Sequence, residues 1–118
     1  MRYMLLIYGD EHAWTEAERE ECYKDSTELA HELKSAGRYV AANPLQPVAT
    51  ATSVRVRSGR RLVTDGPFAE THEQLGGYFL IDAKDLDEAI GIAARIPSAR
   101  LGTVEIRPVM ELAGLPTV

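Results

Sequence analysis

Tyr3-Met4-Leu5-Leu6-Ile7-Tyr8 runs directly into Gly9-Asp10-Glu11-His12. The first stretch is apolar at every position, and the second breaks it. Such a run has strand length, and a strand without polar alternation is one covered on both faces. A second run of this kind, Tyr78-Phe79-Leu80-Ile81, lies far along the chain. The segments between and around these two strands determine how they are covered.

Thr15 followed by Glu18 has capping-box spacing and predicts the start of a helix. Cys22, Ser26, Leu29, Leu33 and Ala36 recur every three or four residues and form its buried stripe. Gly37 supplies a left-handed stop. Arg38 to Ala42 reads as a strand, and Asn43-Pro44-Leu45-Gln46-Pro47 as an extended edge connection, because proline has no N–H for a central ladder. Thr50 to Arg57 alternates, Ser58-Gly59-Arg60 turns, and Arg61 to Thr64 returns as a hairpin. Thr71 and Gln74 have the spacing of one short capped helical turn, closed by Gly76-Gly77. Asp85 caps a second helix with Leu86, Ala89, Ile90 and Ala93 as its buried stripe, and Pro97 ends it. Gly91 within that helix signals either close packing or tolerance. Thr103 to Val109 is the last strand, with Val104 and Ile106 on one face and Glu105 and Arg107 on the other.

This order is a split β-α-β pattern, an α+β ferredoxin-like fold with an added hairpin. Two helices cover one face of the sheet, yet the central strands are apolar on both. An uncovered apolar face of that size marks an interface. A second copy related by two-fold symmetry is the simplest cover. The expectation is a homodimer with sheets packed face to face, a dimeric α+β barrel.

The 118 residues fit one domain, and 45% hydrophobic with 26% charged residues is ordinary for a globular chain. Cys22 is the lone cysteine, so no intramolecular disulfide forms. That usage, the lack of a signal-peptide pattern and the lack of a membrane-length apolar run make a cytoplasmic protein without membrane association the expectation. A net charge of -5 argues against nucleic acid as a partner, despite Arg55, Arg57, Arg60 and Arg61. Those arginines also have no aromatic neighbours for stacking bases.

The candidate site centres on Asp65-Gly66-Pro67-Phe68. Asp65 ends a strand, where a carboxylate either bonds its own turn amides or binds a ligand and transfers protons. Gly66 supplies an unusual backbone angle, Pro67 fixes the exit, and Phe68 is expected to anchor the loop in the core. As a ligand site, this turn would also draw on Glu70 and His72, and on His12 at the end of the first strand. Glu70, His72 and Glu73 lie close in sequence, but no second His or Cys cluster supports a metal, so neither metal nor cofactor is expected. If Val54, Val56, Val104 and Ile106 face the helices, then Arg55, Arg57, Glu105 and Arg107 face the dimer side. Arginines there suit a small polar or anionic ligand. The alternative is a surface ion pair between Glu105 and Arg55 or Arg107.

The string Asp65-Gly66-Pro67-Phe68-Ala69-Glu70-Thr71, with Tyr3 to Glu11, Thr50 to Arg57, Asp85 to Ala89 and Val104 to Pro108, resembles the DGPF branch of the YCII-related proteins over essentially the whole chain. The resemblance implies a ferredoxin-like dimer and no assigned activity. It also implies a genomic setting near extracytoplasmic-function sigma factors. More distant relatives use a His-Asp pair, but here the matching stretch of the long helix reads Asp25-Ser26, and His31 lies further along on the solvent side. His72 stands where the family pattern commonly has lysine, so a ligand contact there would change charge with pH. Two functions follow as expectations. One is a small-molecule-binding or enzymatic dimer, with Asp65 and His72 as candidate catalytic groups. The other is a non-catalytic interaction module linked to sigma-factor or transcription regulation.

Overall fold

A computed structural model describes residues 1–116. The elements run β1 (Arg2–Gly9), α1 (Glu16–Ser35), β2 (Tyr39–Pro44), β3 (Thr52–Arg57), β4 (Arg60–Asp65), β5 (Gln74–Asp82), α2 (Leu86–Ala94) and β6 (Thr103–Pro108). Single 3-10 turns form at Val48–Thr50 and Pro97–Arg100. Four strands make one sheet in the order β2-β5-β1-β6, with every neighbouring pair antiparallel. This is an α+β chain, and the strand order is the one a split β-α-β pattern generates. β3 and β4 form a separate two-stranded sheet.

Alternation along β1 and β5 sends Tyr3, Leu5, Phe79 and Ile81 to one face, where all are buried. Leu29 and Leu33 of α1 and Ala89, Ile92 and Ala93 of α2 close over them, with Ile96 just beyond. Leu5, Leu33, Ile81 and Ile96 are the largest fully buried side chains, each contributing roughly 1.5–3 kcal/mol relative to exposure. The opposite face carries Met4, Leu6 and Tyr8 of β1 beside Leu80, Tyr78 and Leu75 of β5. Ala41 and Asn43 extend these rows on β2, and Arg107, Glu105 and Thr103 on β6. No helix among the described residues covers this face. The open side is therefore an apolar centre edged by polar groups.

The long helix begins as its spacing predicts. The Thr15 hydroxyl accepts from the Glu18 N–H at 3.1 Å, and the Thr15 N–H donates to the Glu18 carboxylate at 2.9 Å. The hairpin forms, but its turn is only Ser58-Gly59, with Arg60 already paired to Arg57 in β4; Ser58 and Gly59 both adopt positive φ, 50° and 72°, which matches the twist of the flanking strands.

Other expectations are corrected. Thr71 and Gln74 make no helical turn. The Thr71 hydroxyl donates to the Glu73 carbonyl, the Gln74 amide donates to the Thr71 carbonyl, and Gln74 already pairs with Gly9 as the start of β5. Capping-box residues serve a loop equally well when the following chain is extended. Gly76-Gly77 is not a stop: Ile7 pairs with Gly77 and Tyr8 with Leu75, so Gly76 is the extra residue of a bulge. Asn43 and Pro44 lie within β2, which tolerates proline because it is an edge strand. α2 is rotated, burying Ala89, Ile92 and Ala93 while Leu86 and Ile90 are exposed. Small alanines let this short helix approach the sheet closely. Phe68 is 80% exposed and anchors nothing in the core. Val54 and Val56 do not face the helices, because their hairpin lies outside the main sheet.

Two glycines separate tolerance from necessity. A Cβ on Gly91 would meet nothing within 4 Å, whereas one on Gly102 would lie 2.1 Å from the Tyr8 carbonyl oxygen. Gly91→Ala should stabilise the chain by up to about 1 kcal/mol. Gly102→Ala should destabilise it by at least about 1 kcal/mol by forcing β6 from β1. Urea denaturation of both variants measures this contrast.

Hydrogen bonds from Thr15, first from its backbone N–H and then from its side chain, hold the Glu18 carboxyl below its ordinary pKa. A lowered folded-state pKa stabilises above the unfolded value, and that contribution is lost as pH falls through the folded value. Amide exchange in the first turn of α1 should therefore accelerate as pH falls through that lowered pKa, after correction for intrinsic exchange. Glu18→Gln should remove this dependence, and Thr15→Ala should cost about 1 kcal/mol at neutral pH.

Candidate functional site

Leu29 and Leu33 hold one stripe of α1 down on the sheet, but beside them Cys22, Ser26, Thr27 and Ala30 are small and do not fill the space. Beneath them, Gly77 of β5 has no side chain. Small residues facing a glycine leave space, and a cleft of about 400 Å³ opens there. Its size falls in the range of small-molecule sites, roughly 300–1,000 Å³. Ile7, Ala42 and Phe79 give it an apolar floor.

Polar groups mark its edges. Cys22 Sγ lies 3.4 Å from Ser98 Oγ, whereas the bond from Asn43 Nδ2 to the Tyr78 hydroxyl, 3.0 Å, belongs to the open face of the sheet. His31 and Lys34 line the rim from positions three apart on α1, one face of the helix. No Asp or Glu lines this cleft, although the chain contains 18 acidic residues. The Lys34 ammonium at the rim of an apolar floor can take an anionic head with an apolar body.

A second cleft of about 150 Å³ lies at the other end of α1, lined in part by Glu11, Trp14, Arg19 and Gln74. Its polar groups are already engaged with one another. Arg19 donates to the Glu11 carbonyl at 2.7 Å, the Glu11 carboxylate accepts from the Val48 N–H at 2.9 Å, and the Glu11 N–H donates to Gln74 Oε1 at 3.2 Å. These bonds fasten the loop after β2 to the end of β1.

The residues singled out from sequence lie elsewhere. Asp65 is exposed at the end of β4, opposite Thr52. Gly66 has φ 100°, its N–H donates to Ala51 O at 2.7 Å, and its carbonyl accepts from the Ser53 hydroxyl at 2.8 Å. The turn is thus the closed base of the hairpin. Pro67, Phe68, Glu70 and His72 follow as an exposed loop, and His12 is exposed beyond β1. None of these residues lines either cleft. Arg55 and Arg57 lie on the hairpin, away from the main sheet that carries Arg107. Arg107 pairs with Glu105 at 2.6 Å, the surface pair weighed above. Among the described residues, no group of three His, Cys, Asp or Glu side chains is placed to hold a metal ion. Glu73 instead accepts from the Thr103 hydroxyl at 2.8 Å.

Sequence reading missed the cleft residues Ser26, Ala30, Lys34 and Gly77 as a group. The available signal was a run of small residues on half of one helix stripe, with paired glycines entering an otherwise apolar strand.

No helix among the described residues is long and apolar enough to cross a membrane. Residues 1–113 match the family model for the YCII-related domain. The chain is also 38% identical over 113 residues to an uncharacterized protein of Rhizobium meliloti (strain 1021), covering 92% of this chain and 91% of that protein. With a match over almost its whole length, the chain belongs to the YCII-related family.

Proposed function

We propose that this protein is a small-molecule-binding homodimer whose ligand, an anion with an apolar body, enters the cleft beneath α1. The observation that carries the reading is the cleft's lining: His31 and Lys34 at the rim, an apolar floor, and no acidic residue in a chain of net charge -5. A carboxylate at Lys34 gains a charge-assisted hydrogen bond, and its apolar part leaves water against Ile7 and Phe79. The Asp-Gly-Pro-Phe string supports membership of the DGPF branch. The open apolar sheet face supports the second copy, in the manner of a dimeric α+β barrel.

Asp65 and the loop from Pro67 to His72 then serve first as the base of the hairpin. In the proposed dimer they would reach a ligand only from the partner's side. The non-catalytic interaction reading competes by using the same exposed segments to dock a protein of another kind.

Thermal shift with matched pairs of aliphatic or aromatic carboxylates and their amides tests the proposal. Near one hundred times its Kd, a bound carboxylate should raise Tm by roughly 10 °C, with the amide far weaker. Lys34→Ala should weaken binding about tenfold, the loss of one charge-assisted bond. Ser26→Trp should abolish binding by filling the cleft. Equal response to acid and amide, or full binding by Ser26→Trp, would sink it.

A further inference from the structure

The β3–β4 hairpin is the least protected part of the molecule. Both of its strands are exposed along nearly their whole length. Its register places Val54 opposite Val63 and Val56 opposite Arg61 on one face, and Arg55 opposite Leu62 and Arg57 opposite Arg60 on the other. The three valines are 59%, 58% and 62% exposed. A two-stranded hairpin is marginal alone in water and gains stability by packing one face on something. Among the described residues, no other element covers these valines.

Size sets the scale of what is missing. A folded chain of 13.0 kDa exposes about 6,300 Å², whereas this one exposes 8701 Å². The excess, on the order of 2,400 Å², is well above the roughly 800 Å² that one partner gives to a standard interface. The radius of gyration, 16.1 Å, likewise exceeds the roughly 13.5 Å expected for this length. The chain has the surface of half an assembly.

Charge indicates the occupant. Four arginines against one aspartate give the segment Thr52–Asp65 a net +3, and the chain's -5 leaves the remainder at -8. The arm and the body of a second copy are therefore complementary in sign. Nucleic acid fits less well, because the arm carries no aromatic side chain and the body would repel phosphates.

We propose that β3–β4 is a dimerisation arm that reaches onto a second copy of this chain, burying Val54, Val56 and Val63 against it. The inference rests on the homodimer proposed above and adds the element that clamps it. The closed base at Gly66 and the tight Ser58-Gly59 tip hold the arm in shape before it docks, which lowers the entropy lost on association.

Sedimentation of the full chain measures the dimer Kd for wild type, Val54→Asp with Val63→Asp, the milder Val54→Ser with Val63→Ser, and Leu6→Asp on the open sheet. Circular dichroism checks that each remains folded. The aspartate pair should raise Kd at least about 100-fold, because it desolvates charge in the interface, and the serine pair should raise it less. A photoreactive benzoylphenylalanine at position 63, in mixed isotopically light and heavy chains, should give crosslinks between chains. A wild-type dimer weakened by Leu6→Asp but indifferent to both valine pairs, with no inter-chain crosslink at 63, overturns the arm and leaves the homodimer standing. A wild-type monomer at tens of micromolar overturns both. A monomer that binds oligonucleotide with a steep salt dependence assigns the arm to nucleic acid instead and equally overturns the proposal.

Discussion

The pairing of β1 with β5 at the centre of the sheet is the constraint on which everything else hangs. It places Leu5 beside Phe79 and Tyr3 beside Ile81 on one face, and Met4 beside Leu80 and Leu6 beside Tyr78 on the other. One chain supplies two helices, which cover a single face. Apolar groups on the second face remain in contact with water at a cost of roughly 25 cal/mol per Å². A strand pair of this composition gains fully from burial only when both faces are dry, and the two helices dry one of them.

The same pairing accounts for the cleft. The bulge at Gly76 and the bare Gly77 interrupt β5 where it passes under α1. A side chain at position 77 would occupy the floor, and its Cβ would also crowd the Asn43 carbonyl oxygen at 3.1 Å. Close approach of β2 to β5 and space beneath the helix thus come from one residue. The sheet gives up packing there, and the helix answers with small residues instead of leucines.

How much of this was legible from the sequence depended on whether the signal was local. The capping box at Thr15, the Ser58-Gly59 turn and the two-sided apolar runs need only their neighbours to be read, and each has its counterpart in the structure. Thr71 and Gln74 carried the same local signal as Thr15 and Glu18 but are committed to β5, because pairing with β1 outweighs one capped turn. The rotation of α2 was hidden because Leu86 and Ile90 are as hydrophobic as the residues buried in their place. The cleft was not legible, since Ser26, Lys34 and Gly77 meet only through the tertiary fold. Asp65-Gly66-Pro67-Phe68 is distinctive as a string, yet the hydrogen bonds at Gly66 close a hairpin.

The strand order also bears on how the chain reaches this state. β1 is made first, yet its two neighbours are β5 and β6, with Tyr3 paired to Ile81 on one side and Pro108 on the other. Contacts so distant in sequence close large loops and form slowly, whereas a hairpin such as β3–β4 closes in microseconds. During synthesis the most apolar strand of the molecule must therefore wait, unpaired on both edges until β5 is made and on one edge until β6 follows. The feature that makes the finished sheet so cohesive is also the one most in need of shielding while the protein is being made.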